Sequence, residues 1–396
     1  MSKWIVGLLT AAIAVIAFVY VNLDADMRRL LKALPTDTNI LFWSIEQRDA
    51  GFRTIDRVPL LVKSSPVKAG SKVRELATGA PLKLKIDVEQ YMQSQRSAGM
   101  VIIHNGVVRL ERYGLDFNST GRWTSFSVAK SFTSTLVGIA IKDGYISSID
   151  DKVSDYISDL KGSVYDDVSI AQLLTMTSGV KWNEDYEDPN SDVAQLNLHV
   201  PVEGMDSTVS YMRNLEREAP AGSKWLYKTG ETNLIGVLVS AATGKTLSAY
   251  LSEKIWVPFG MQQDASWLLG VTGHEISGCC VQAAIRDFAR MGLFFLEEGK
   301  IAGNAILPPD WIAVATSKQA DIGTPGKGYG YQWWTYDDGS YAARGIFGQG
   351  IFIDPNRNLV IASNANWPRA SMKTTLGAER EAFYRAVQQA IDAENN

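Results

Sequence analysis

Apolar positions along this chain change spacing from its first third to its last. Met100–His104 and Val107–Tyr113 are rich in β-branched residues and flank Asn105-Gly106, the dipeptide that suits a tight hairpin turn. From Val128 to Lys142, small and apolar residues cover most faces, which predicts a buried helix ended by Asp143-Gly144. Ile170–Met176, Asn233–Ala242, Thr246–Ile255 and Val281–Leu296 also read as helices. Strand patterns return at Tyr329–Tyr336, Tyr341–Phe347, Gly350–Asp354 and Leu359–Ser363, with Asp338-Gly339 and Asp354-Pro355-Asn356 as turns. Residues 374–393 carry a last amphipathic helix. Strands early, helices in the middle and strands late predict an α+β fold. In it an antiparallel sheet drawn from both chain ends is flanked by helices, and a helical subdomain at about 145–280 is inserted.

Trp4–Val21 is apolar apart from Thr10 and carries no charge. At about 1.5 Å per residue it is long enough to cross a bilayer core. It predicts a transmembrane helix at 1–22, with a cleaved signal peptide as the alternative. Residues 23–80 mix charge, short apolar pieces and prolines (Pro35, Pro59, Pro66), and read as a linker and an arm over a body at 81–396. Lys3 precedes the apolar run while Arg28, Arg29 and Lys32 follow it, so charge counting alone would place the body in the cytoplasm.

Composition narrows the chemistry by exclusion. The 396 residues are 46% hydrophobic and 21% charged with a net charge of −4, which gives a sizeable core and no basic field for nucleic acid. The two cysteines, Cys279 and Cys280, are adjacent, which is no disulfide framework and reads as small buried residues. Three scattered histidines and the lack of metal-ligand spacing argue against a metal site. No glycine-rich nucleotide motif is present, so no cofactor is expected.

One serine stands out. Ser-x-x-Lys occurs four times, as Ser65/Lys68, Ser127/Lys130, Ser158/Lys161 and Ser178/Lys181, but only Ser127/Lys130 opens a long apolar helix. A serine there meets unpaired backbone N–H groups and a positive helix end, and Lys130 falls on the same face one turn later. Phe126, Val128, Ala129 and Phe132 can desolvate that lysine until it accepts the serine proton. The plain alternative is an N-cap serine beside a surface lysine. No Gly-x-Ser-x-Gly elbow occurs and nothing supports a Ser-His-Asp set. Tyr227 follows a Pro-Gly turn before a helix. Beside a cation such as Lys130 it could exist partly as phenolate and shuttle a proton; the same position suits a core-edge aromatic. Gly345, Gly348 and Gly350 interrupt a strand pattern, marking either close approach of a ligand or a bulge.

Together these segments resemble the serine β-lactamase-like superfamily, nearest the 6-aminohexanoate-dimer hydrolases and family VIII carboxylesterases. The resemblance runs over roughly residues 97–395. Its marks are Ser127-Val-Ala-Lys130, Gly144–Tyr156, Leu173–Gly179, Trp182–Tyr186, Tyr227-Lys-Thr229, Arg286–Arg290 and Gly348-Gln349. It implies a sandwich plus a helical domain with the site between them, and a serine hydrolase that acylates Ser127 while Lys130 and Tyr227 move protons. It implies substrate contacts at Tyr186, at a backbone N–H near Ile346, and at Gly348 and Gln349. Thr229 stands where such proteins usually carry Asn. The late strand reads Ile346-Phe347-Gly348 where a cation is usual, which disfavours carboxylate-bearing antibiotics unless Arg344 compensates. The implied substrate is a small ester or uncharged amide. The alternatives are a β-lactamase, a D,D-peptidase, or a penicillin-recognising protein without turnover. Membership also implies an inner-membrane anchor with the body in the periplasm, or a secreted periplasmic form. The oligomeric state is not readable.

Overall fold

The computed structural model describes residues 3–35, 37, 39–58, 62–370 and 374–395; Pro59 lies outside them. Val101 and Ile103 point to one face of their strand and Met100 and Ile102 to the other, and all four are buried. A strand apolar on both faces needs cover on both. The C-terminal helix Thr375–Asn395 supplies one layer, packing Phe383, Val387 and Ile391 against Met100, Ile102, Phe352 and Ile361. The helix Ile285–Leu296 supplies the other, with Phe288 and Met291 in the cluster that holds Val101, Ile103, Ile351 and Val360. Gly292 lets this helix lie flat on the sheet, because a Cβ there would collide with Val360.

The sheet has seven antiparallel strands. In spatial order they are Val107–Tyr113, Ser97–His104, Leu359–Ala365, Gly350–Asp354, Tyr341–Arg344, Trp334–Tyr336 and Lys327–Tyr329. Both chain ends therefore build one sheet. The expected hairpin turns at Asn105-Gly106, both residues at positive φ. Between the sheet halves run helices, among them Ala129–Lys142 and Thr229–Thr243.

Several expected elements are corrected. Val281–Ala283 is not the start of a helix but a strand, and the helix begins at Ile285. Val281–Ala283 belongs to a second sheet of four short strands, with Ser64–Val67, Ala265–Leu268 and Trp123–Thr124. The stretch Tyr329–Tyr336 is two paired strands folded back between Tyr329 and Trp334, with Gln332 in the left-handed region. The strand from Tyr341 ends at Arg344, before a 3-10 turn Ile346–Gly348. Cys279 and Cys280 are bonded to each other rather than being simple buried thiols.

Residues of the arm enter the body. Ser64–Val67 pairs with Ala265–Leu268, and Phe52 has no exposed surface. The first helix, Lys3–Asn22, leaves Trp4, Leu8 and Phe18 exposed. Among the described residues no single helix is long and apolar enough to cross a membrane, so the fold gives no support to the expected transmembrane anchor.

Candidate active site

The strand Trp123–Thr124 leads straight to Ser127. Its pairing with Val281–Ala283 and two hydrogen bonds between Ser125 and Val281, at 2.8 and 2.9 Å, fix the approach. Phe126–Val128 forms a 3-10 turn that runs into the helix Ala129–Lys142. Phe126 sits at φ 42°, a region that bulky side chains avoid and that only surrounding structure can hold. Ser127 is 9% exposed, at the edge of the interior.

Lys130 is one helical turn further in and almost wholly buried. Its amine donates to Thr229 Oγ1 at 3.0 Å and to the Gly278 carbonyl at 2.9 Å. Gly278 is itself held by Asn233 Oδ1, which accepts from its N–H at 2.6 Å. Burial pulls the Lys130 pKa down to about 7, and the Glu184 carboxylate opposes the fall. A neutral amine has two N–H bonds. With both spent on Thr229 and Gly278, its lone pair is left for another proton.

Tyr227 closes the group. The Ser127 side chain tends to lower the pKa of its phenol, and its ring centroid lies 5.4 Å from Lys130 Nζ. The ring stacks on Trp334 at 5.5 Å and meets Tyr329 edge-on at 6.0 Å. The phenolate expected from the sequence is corrected. Burial first, then the charge of Glu184, push the Tyr227 pKa well above its ordinary value, so Tyr227 is a neutral phenol near pH 7. Tyr186 reaches the same cluster, donating to Glu184 Oε1 at 2.6 Å. Glu184 also accepts from the Thr229 N–H at 2.9 Å, from the Thr229 hydroxyl and from Trp182 Nε1.

The late turn lies beside the serine. A Cβ on Gly345 would stand 2.7 Å from the Ser125 carbonyl oxygen and 3.0 Å from Phe126 Cβ, and the Phe126 and Phe347 ring centroids are 5.3 Å apart. Ile346 and Ser127 are thus on neighbouring backbones. Gly348 and Gln349 serve the turn itself. Gly348 is at φ 96° with the Trp367 ring where a Cβ would go. Gln349 is buried, donating to the carbonyls of Ile346 at 3.2 Å and Ala365 at 2.8 Å while accepting from the Ala365 N–H at 2.9 Å. Both of its amide hydrogens are thus engaged. Arg344 does not supply a free cation: it is buried, paired with Glu381 at 2.7 Å and bonded to the Tyr336 hydroxyl.

Sequence reasoning named Ser127, Lys130, Tyr227, Tyr186 and Ile346, and the fold brings them together. It missed the parts played by Glu184, Thr229 and Asn233. The signals were present: Glu184 lies inside the quoted Trp182–Tyr186 segment, and Asn233 follows Thr229 by one helical turn.

Known proteins resemble this chain over most of its length. Residues 86–384 match the family described as Beta-lactamase. The 6-aminohexanoate-dimer hydrolase of Paenarthrobacter ureafaciens is 26% identical over 346 residues, covering 83% of this chain and 86% of its own. A Bacillus anthracis structure provisionally described as a 6-aminohexanoate-dimer hydrolase superposes with a TM-score of 0.78 at 22% identity, over 88% of this chain and 95% of that one. A family VIII carboxylesterase structure gives a TM-score of 0.61 at 17% identity, over 78% and 99%.

Proposed function

Because this chain belongs to the Beta-lactamase family of serine hydrolases, we propose that it cleaves small esters or amides through an acyl-enzyme on Ser127. The observation that carries this reading is the buried Lys130 amine, brought to about pKa 7 and engaged by two acceptors.

In this reading Ser127 Oγ attacks the substrate carbonyl carbon while its proton passes to the Lys130 amine. The carbonyl oxygen becomes an oxyanion that the N–H groups of Ser127 and Ile346 stabilise. The carbon–leaving-group bond then breaks, and the Tyr227 phenol protonates the departing amine or alkoxide and is reprotonated from Lys130. Water repeats the sequence on the acyl-enzyme, with the same amine as base.

The engagement of Arg344 with Glu381 supports a substrate without a carboxylate at the late strand. The likeness to a 6-aminohexanoate-dimer hydrolase adds linear amides to the candidates. A fluorophosphonate probe is expected to label Ser127. Ser127→Ala is expected to lose both labelling and turnover of a nitrophenyl ester. A Ser127→Ala protein that still hydrolyses the ester would overturn the mechanism. A panel of esters, linear amides and a chromogenic cephalosporin then ranks the substrate classes.

A further inference from the structure

Phe52 belongs to the N-terminal arm, far in sequence from Ser127, yet its ring packs against side chains on both segments that border the reacting serine. Its ring centroid is 5.0 Å from that of Phe126 and 5.5 Å from that of Phe347, and those two are 5.3 Å apart. The three rings form a closed, nearly equilateral set. Phe126 immediately precedes Ser127, Phe347 immediately follows Ile346, and both are in the left-handed region, at φ 42° and 59°. Aromatic residues hold such backbone angles only where their surroundings over-determine them. The Phe52 carbonyl also accepts a hydrogen bond from the Thr124 N–H at 3.0 Å, on the short strand that delivers Ser127. From the same arm, the Arg48 guanidinium lies 4.3 Å from the Phe347 ring centroid. It donates to Asn366 Oδ1 at 2.9 Å and to the Trp367 carbonyl at 3.1 Å, so the far side of the Phe347 ring is held too.

We infer that Phe52 is a positioning residue for the oxyanion hole. It wedges the two strained phenylalanines and thereby sets the spacing of the Ser127 and Ile346 N–H groups. The inference rests on the acyl-enzyme reading above. The arm is on this view part of the machinery rather than a cover over it.

The test compares Phe52→Leu with Ile55→Ala in the full chain. Ile55 is buried in a neighbouring cluster with Trp43 and Leu268, so its truncation loosens the same arm without touching the phenylalanine set. Phe52→Leu is expected to lower kcat on a nitrophenyl ester at least tenfold with KM within twofold. It is also expected to weaken inhibition by a phenylboronic acid, whose tetrahedral adduct occupies the oxyanion hole, by a similar factor. The acid limb of the pH profile should stay in place, because Lys130 is untouched. Ile55→Ala is expected to lower Tm with kcat and boronate affinity retained. Unchanged kcat and boronate affinity in Phe52→Leu overturns the inference, as does an equal loss of both in Ile55→Ala. Either result leaves Ser127 labelling of the unaltered protein intact, whereas failure of the acyl-enzyme reading shows as unaltered protein that is neither labelled nor active.

Discussion

The Thr229 hydroxyl accepts a hydrogen bond from the Lys130 amine at 3.0 Å and donates one to Glu184. A residue that accepts from one charged group and donates to another orients both. The threonine does this orienting with one oxygen. Thr229→Val keeps the shape and removes that oxygen. It is expected to cost about 1–3 kcal/mol of stability, by leaving a buried amine hydrogen without its acceptor, while Glu184 Oε1 keeps only the Tyr186 hydroxyl as donor. Ester turnover should fall about tenfold or more. Thr229→Ser should restore most of both, read by Tm and kcat.

The titration of Lys130 sets a pH dependence with a definite sign. In the proposed mechanism the neutral amine is the active form, so kcat/KM should rise with pH, bend near 7 and then stay level. Tyr227 adds no alkaline limb near neutrality, because its pKa is pushed up from the ordinary value. Stability follows the same group. Its folded pKa of about 7 lies below the ordinary 10.5, so the unfolded chain binds the extra proton between those values. The penalty is complete below pH 7 and is relieved as pH rises toward 10.5. Lys130→Met is therefore expected to abolish turnover yet raise stability at pH 7, by on the order of a few kcal/mol. Urea unfolding of both proteins at pH 7 and pH 10 checks the sign; a gap that widens with pH would contradict it.

Glu184 raises the Lys130 pKa against the pull of burial. Glu184→Gln removes that charge while keeping a side chain able to accept from Thr229. The acid limb of the kcat/KM profile should move to lower pH, by up to about one unit for a screened charge at this range. A limb that stays put or moves upward would show that Glu184 does not act on the amine electrostatically.

Next to Tyr227, Lys228 is buried and paired with the equally buried Glu231 at 3.4 Å. Burial pushes the Glu231 pKa up, and Lys228 and the Ser178 hydroxyl oppose that rise. Removing one partner leaves the other charge stranded. Lys228→Met is expected to destabilise by about 3–5 kcal/mol, and Lys228→Met with Glu231→Leu by less, in a double-mutant cycle read by urea unfolding.

Elements whose signal is local were legible. The Asn105-Gly106 hairpin and the helix after Ser127 follow from turn chemistry and apolar spacing within one window. The four-stranded sheet was not, because its strands are two to four residues long and come from three distant stretches of the chain. Val281–Ala283 shows why: three apolar and polar residues before a strongly apolar helix read as its first turn, and only Trp123 and Ser266 on either side make them a strand. In the site, Ser127 and Lys130 share one helix face and were found together. Glu184 and Thr229 are joined only by tertiary folding, and Phe52 lay in a segment read as a linker and covering arm.

The large sheet has one further consequence, for biosynthesis. Leu359–Ala365 pairs with Ser97–His104, strands more than two hundred residues apart. Such pairing is slow, since the intervening loop must be closed before the contacts repay it. It also means that Ile346, the proposed second oxyanion donor, arrives long after Ser127 during synthesis. On the proposed mechanism, reactivity at Ser127 should appear only once the final strands have left the ribosome.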